Sequence, residues 1–450
     1  MKKQLFPLML ALLLLVACVP TPDEEAVVNR LDGKLEQAII EGPVEPCRYD
    51  APARWDETVK IRKQEVRFAA DIEVPTAEAF PVETVRQRTI TAEDVLSFLQ
   101  KFCPGEWTIR ENEYSREELM EDLKRASNMY LGVNDDTGEA IWGANEEEMK
   151  RIQALIDKVP TEDTYLELSA KTLNPPFLKK PVKNSKGEIW YLSVKDKSEN
   201  SFIMLFRSRN VNTLSETWVL QDRDDPFYHE NGLQNIKISE EDALKIGDKT
   251  VAALGFSDFR AAEALKVLFT QSYTLAEYGQ GYQLNYVPTL DGTVPCFYSE
   301  RSTPSFINFA DDPGATFAPL WRQEYIQMDV TEEGIQSLCW IQPKEHLLVA
   351  NANVRLMPFE EFQKTFKQLL GFAVGDYEDS PILVQRLVLT TAIAQIPNQG
   401  DEAFLIPAWA VFMTTEDDQE AHSDVCVMLI NAIDGTFINN SPQNWYPGQQ

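Results

Sequence analysis

Histidine is nearly absent from this chain: His229, His346 and His422 are the only three among 450 residues. They lie in separate segments. There is no HExxH, no His-x-His and no Cys–His cluster, so no zinc site is written into the sequence. Cysteine is scarce too. None of the six falls in a CxxC spacing, which excludes zinc ribbons and thioredoxin-type redox motifs. GxSxG, SxxK, Walker A and GxGxxG are all missing. His422-Ser423-Asp424 holds the residue types of a triad, but adjacent residues of one loop cannot reach triad geometry. Basic residues are outnumbered 42 to 71, and the net charge is −29. Such a surface repels phosphate backbones, which argues against a nucleic-acid partner. Beyond the N-terminus no apolar run reaches the ~18 residues that a spanning helix needs.

What is present begins at the N-terminus. Lys2 and Lys3 precede an apolar stretch, Leu5 to Val16, too short to span a bilayer comfortably. Leu15-Val16-Ala17-Cys18 follows. This resembles the lipobox of bacterial lipoproteins. The resemblance implies that residues 1–17 are a signal peptide and that Cys18 receives a diacylglycerol. An ordinary secretory leader followed by a chance cysteine is the competing reading. Two acyl chains give stable anchoring where one gives marginal binding. The partner implied first is therefore the membrane, through Cys18, on the extracytoplasmic face.

Five cysteines remain: Cys47, Cys103, Cys296, Cys339 and Cys426. An odd number leaves at least one unpaired. Cys47–Cys103 and Cys296–Cys339 bridges are open, and buried free thiols acting as small hydrophobes are the favoured state.

Residues 18–48 read as an acidic, proline-containing tether, from Val19-Pro20-Thr21-Pro22-Asp23-Glu24-Glu25. Three modules are expected after it, over 49–170, 171–310 and 311–450. Val66, Phe68, Ala70, Ile72 and Val74 alternate with polar or small residues, the period of a half-buried strand. Thr91 with Asp94 and Ser239 with Asp242 are helix caps, and Gly255 is a helix stop. Helices are predicted near 91–103, 240–254 and 358–370, with two more ending near Tyr130 and Val159. Thr331-Glu332-Glu333-Gly334 and Asp434-Gly435 are turn signals between strands. Trp190, Trp218, Trp340 and Trp409 fall on apolar strands and read as core. Trp55, Trp107, Trp142, Trp321 and Trp445 have more polar neighbours and read as candidates for a stacking surface. The loop Asn134 to Glu139 has a calcium-loop flavour, but its glycine stands fifth rather than sixth, and a surface turn is the default.

Ser239-Glu240-Glu241-Asp242-Ala243-Leu244 before strands resembles a PepSY helix-and-sheet unit. So does Ile406-Pro407-Ala408-Trp409 followed by Val427 to Gly435. PepSY-like units occur in envelope proteins that inhibit peptidases or regulate signalling, including those of the YycI type. Tyr49 to Trp55, Ile72 to Pro75 and Met328 to Ile335 resemble an uncharacterised family of Firmicutes lipoproteins. These resemblances imply an α+β fold of two or three PepSY-like modules, antiparallel sheets each covered by helices. They transfer no catalytic, metal or cofactor residue. The expectation is a non-catalytic envelope lipoprotein that binds a protein or peptide partner in a regulatory or structural role. A lipoprotein capturing a small solute or glycan is the alternative, and a wall hydrolase with paired carboxylates is a third.

Overall fold

The computed structural model describes residues 34–133, 140–173, 177–196, 201–207, 217–221, 236–271, 277–290, 293–298, 322–373, 380–395, 402–416 and 426–438. The chain forms two compact units, each built from separated stretches of sequence.

The first unit takes the chain up to Arg86, Thr289–Gln323 and everything from His346 on. A short helix, α1 (Lys34–Ile40), precedes its sheet. The sheet comprises β1 (Arg54–Ile61), β2 (Gln64–Glu73), β3 (Val82–Gln87), β16 (Lys344–Asn351), β17 (Ile382–Gln395), β18 (Glu402–Thr415), β19 (Cys426–Asn431) and β20 (Phe437–Ile438). The order is β1-β2-β17-β18-β19-β20, and β3 links β18 to β16. Val66, Phe68, Ala70 and Ile72 of β2 all turn into the core, as their period-2 spacing requires. Helix α6 (Phe359–Ala373) brings Phe362, Phe366, Leu369 and Leu370 to the same core. Trp409 of β18 is completely buried there and stacks on Phe362, centroids 4.9 Å apart. Trp55 stacks on Phe68 at 3.9 Å.

The second unit takes Gln87–Pro288 and Glu324–Glu345. Its large sheet holds β4 (Thr108–Arg110), β7 (Tyr165–Glu167), β8 (Phe177–Lys183), β9 (Ile189–Lys195), β10 (Phe202–Arg207), β11 (Thr217–Gln221), β12 (Phe259–Gln271), β13 (Glu277–Pro288), β14 (Tyr325–Thr331) and β15 (Gly334–Ile341). They lie in the order β11-β12-β13-β14-β15-β10-β9-β8-β4-β7. Helices α2 (Ala92–Phe102) and α5 (Glu240–Leu254) pack on its apolar face, where Leu192, Leu205, Leu284, Met328 and Leu338 line up across the strands. Thr91 and Asp94 cap α2 reciprocally, and the Ser239 side chain accepts the Asp242 amide to cap α5. Gly255 ends α5 at φ +91°, a conformation only glycine adopts freely. Gly247 permits close approach: a Cβ there would meet Tyr286 Oη at 2.3 Å. A smaller assembly pairs α3 (Arg116–Ala126) with α4 (Glu146–Ile156) around Leu119, Ala126, Ile152 and Ile156. Beside it, β5 (Met129–Val133) pairs with β6 (Ala140–Gly143).

This corrects the α+β expectation of helix-covered PepSY-like modules. The molecule is mostly β-sheet, organised as two large sheets. The reading from sequence assigned each capped helix to the strands next to it in the chain. The strands instead pair across long separations: Ile382 of β17 lies parallel to Val66 of β2. One sheet is thereby completed by both ends of the chain rather than by one local module. Helix α6 covers the face of the first sheet that carries Trp409. On the other face of the first sheet, Thr390 Oγ1 donates to Val294 O at 2.7 Å, so the extended stretch 293–298 lies there.

Candidate functional site

The residue assigned by sequence, Cys18, lies outside the described residues, as do His229, His422 and the loop 134–139. His346 is described. Its Nδ1 lies 2.6 Å from Glu83 Oε2 across β16 and β3, and no described zinc-ligand set includes it. Cys47, Cys103, Cys296, Cys339 and Cys426 are all free thiols. Cys103, Cys296 and Cys339 are buried, matching the small-hydrophobe reading, whereas Cys47 is exposed. Neither bridge left open by the sequence is formed.

Two clusters of buried polar side chains lie in the second unit. On the sheet face opposite the α2 and α5 core, polar side chains stand in register across four strands. Glu263 of β12 faces Asn285 of β13, which faces Gln327 of β14. One step along, Gln283 faces Asp329, which faces Ser337 of β15. The side chains bond along these rows. Gln327 Nε2 donates to Asn285 Oδ1 at 3.1 Å, and Asn285 Nδ2 donates to Glu263 Oε2 at 2.8 Å. Gln283 Nε2 donates to Asp329 Oδ1 at 3.1 Å, and Ser337 Oγ donates to Asp329 Oδ2. Asn285, Gln283 and Asp329 are buried. Burial raises the Asp329 carboxyl above the usual carboxylate range, and the two donors only partly oppose it. Burial, together with Asp329, also raises the Cys339 thiol, which holds it in its unreactive protonated form.

A second polar cluster joins α3 to the sheet. Glu118 Oε2 accepts Arg110 Nη2 at 2.7 Å and the Ser115 amide at 2.7 Å. Its other oxygen accepts Tyr191 Oη at 2.5 Å. Arg110 also donates to the carbonyls of Asn112 and Glu113 and approaches Asp163 at 3.5 Å. Burial opposes its charge, but Glu118 and Asp163 outweigh that and hold its pKa above the ordinary arginine value. Burial and the Glu118 carboxylate raise the Tyr191 phenol. Every charge here is compensated, the condition under which a buried ion pair is tolerable.

Neither cluster was identified from sequence. Gln283, Asn285, Gln327 and Asp329 are visible as alternate polar positions, but alternation alone reads as a solvent face. Of the tryptophans proposed as a stacking surface, Trp55 and Trp107 are buried, and Trp107 Nε1 donates to Cys103 O at 2.9 Å. Trp142, Trp321 and Trp445 have no described side chains. Trp190, Trp340 and Trp409 are buried as expected, and the Trp218 side chain is outside the description.

No family model matches the chain. No curated protein matches it. Among solved structures, the chain is similar to that of an uncharacterized protein from Eubacterium rectale ATCC 33656, with a TM-score of 0.41 and 12% identity over 90% of this chain and 98% of that one.

Proposed function

We propose that the protein is a non-catalytic lipoprotein, held on the extracytoplasmic face of the cell membrane through a diacylglycerol on Cys18, where it binds a protein or peptide partner. The observation that carries this reading is Leu15-Val16-Ala17-Cys18 behind Lys2, Lys3 and a short apolar run. The resemblance of Tyr49 to Trp55 and Met328 to Ile335 to a Firmicutes lipoprotein family points the same way. The polar clusters support the non-catalytic part. Both Asp329 oxygens and both Glu118 oxygens are engaged by donors of the fold itself. A general acid or base must instead present its reacting oxygen to a substrate. The net charge of −29 favours a basic or neutral partner over an acidic one.

The test of location is fractionation of cells carrying Cys18→Ser. The variant should move from the membrane to the soluble extracytoplasmic fraction. Retention at the membrane in wild-type amounts would contradict the reading. Affinity capture of the wild-type protein after in-cell crosslinking, compared with Cys18→Ser, then reports the partner.

A further inference from the structure

The first sheet ends on β1, which among the described strands pairs with β2 alone. Edge strands are normally blunted by proline, by a bulge or by being very short. β1 has 8 residues, no proline and an unbroken register with β2. The ladder fixes which of its backbone groups lack a neighbour. Ala53 O accepts the Ile72 amide at 2.9 Å, and Arg54 stands opposite Asp71. Ala53 and Ile72 are therefore directly opposed and hydrogen-bonded, and along an antiparallel pair such positions alternate. Trp55, Glu57, Val59 and Ile61 then direct their amides and carbonyls at β2. Arg54, Asp56, Thr58 and Lys60 turn theirs outward. The side chains of these four are exposed on one face, whereas Trp55 is buried on the other.

This row is self-complementary at one register. A second copy of β1 related by a two-fold axis runs antiparallel, and its outward residues must meet outward residues. The axis then falls on a residue, not between two. Two such alignments engage all but one position of the strand. Centred on Glu57, Arg54 faces Lys60 of the second copy in both halves, and Glu57 faces Glu57. Like charges directly opposed destabilise a sheet. Centred on Thr58, Asp56 faces Lys60 of the second copy in both halves, and Thr58 faces Thr58. Opposite charges and threonine pairs are favourable cross-strand contacts. The same alignment sets Trp55 opposite Ile61 on the other face. Arg54 Nε donates to both Asp56 oxygens, at 2.9 and 3.0 Å, which fixes that carboxylate in place. A contact of this symmetry closes after two copies.

We propose that the first unit associates with a second copy of this chain through β1, paired antiparallel about Thr58, so that the two first sheets become one. This goes beyond the partner reading above and does not depend on Cys18.

The test is oxidative crosslinking of the full-length protein in intact cells, in a Cys47→Ser background that removes the exposed native thiol. Residues opposed in a hydrogen-bonded pair have Cα atoms about 5.5 Å apart, inside the range of about 4.4–6.8 Å that a disulfide bridges. Thr58→Cys should therefore give a species of twice the monomer mass. Asp56→Cys is four residues out of step with its own copy, about 13 Å along the strand, and should give almost none. Asp56→Cys and Lys60→Cys chains expressed together should crosslink to each other. Sedimentation of the purified protein in detergent supplies a second readout at positions that are exposed and tolerant of change. Asp56→Lys should weaken self-association by about tenfold or more, because two attractive pairs become repulsive. Adding Lys60→Asp should restore it. Thr58→Cys that dimerises no more than the Cys47→Ser parent, or no more than Asp56→Cys, would overturn the proposal. So would a Thr58→Cys adduct with a different protein, or a double charge exchange that restores nothing.

Discussion

One carboxylate, Glu118, accepts hydrogen bonds from both Arg110 and Tyr191, at 2.7 and 2.5 Å, inside the second unit. Glu118 is also the third residue of α3 and accepts the amide of its cap, Ser115. The start of a helix and two strands of the sheet thus depend on one side chain. Glu118→Ala should leave the buried Arg110 guanidinium with only Asp163, 3.5 Å away, as a compensating charge, a loss of up to about 3–5 kcal/mol in such pairs. Tyr191→Phe removes one neutral donor and should cost about 1–3 kcal/mol. Urea denaturation of both variants checks the order. Equal losses would mean that the ion pair is not the dominant contact.

Asp329 gives a prediction in pH. Burial raises its carboxyl pKa in the folded state. The folded protein therefore holds this proton more tightly than the unfolded chain does. Its contribution to stability is fully present below the unfolded aspartate value of ~3.9 and is lost as pH rises through the folded value. Asp329→Asn cannot ionise, and it keeps an oxygen for Gln283. Relative to wild type, the variant should gain stability between pH 4.5 and pH 8, as measured by urea midpoints at the two values. A gain that runs the other way would show that the carboxylate is stabilised in place.

Trp409 should be a packing residue. It is fully buried, stacks on Phe362 and meets Phe359 and Tyr49 edge-on at 5.7 Å each. Trp409→Ala should cost about 3–5 kcal/mol. Trp409→Phe should cost much less, because it keeps an aromatic ring and removes an indole N–H that has no acceptor among the described residues. Thermal melts decide. An unchanged melting temperature for the alanine variant would contradict its place in the core.

Two helical glycines should respond oppositely to alanine. At Gly247 the new methyl would collide with Tyr286 Oη, which donates to Asp248 Oδ1 at 2.9 Å. Overpacking costs about 1–3 kcal/mol and outweighs the ~1 kcal/mol that alanine adds to helix propensity. At Gly371 of α6 the nearest atom is Ile61 Cγ2 at 3.9 Å, so the propensity gain should appear. Gly247→Ala should lower the melting temperature, and Gly371→Ala should raise it slightly.

These features differ in how far the sequence announced them. Caps and turns are local chemistry. Thr91 with Asp94, Ser239 with Asp242, and Gly255 stand where their side chains or backbone angles are needed. The predicted helices near 91–103, 240–254 and 358–370 correspond to α2, α5 and α6. The expected third-helix end at Tyr130 was too late: α3 stops at Ala126, and Tyr130 lies in β5. Trp55 reads as a surface residue because Arg54 and Asp56 beside it are polar, yet it is buried. On a strand those neighbours point to the opposite face, so they report nothing about the tryptophan's own side. Strand β16 carries no period-2 signal, because Leu347, Leu348 and Val349 run together without alternation. The parallel register of Val66 with Ile382, and the burial of Asn285 and Asp329, depend on partners distant in sequence, which no local pattern encodes.

The most direct measurement is the mass of the mature N-terminus. Protein extracted from membranes and digested should yield an N-terminal peptide that begins at Cys18 and carries a diacylglycerol. A mature chain that retains residues before Cys18, or an unmodified Cys18 thiol in membrane-extracted protein, would contradict the anchored-lipoprotein account.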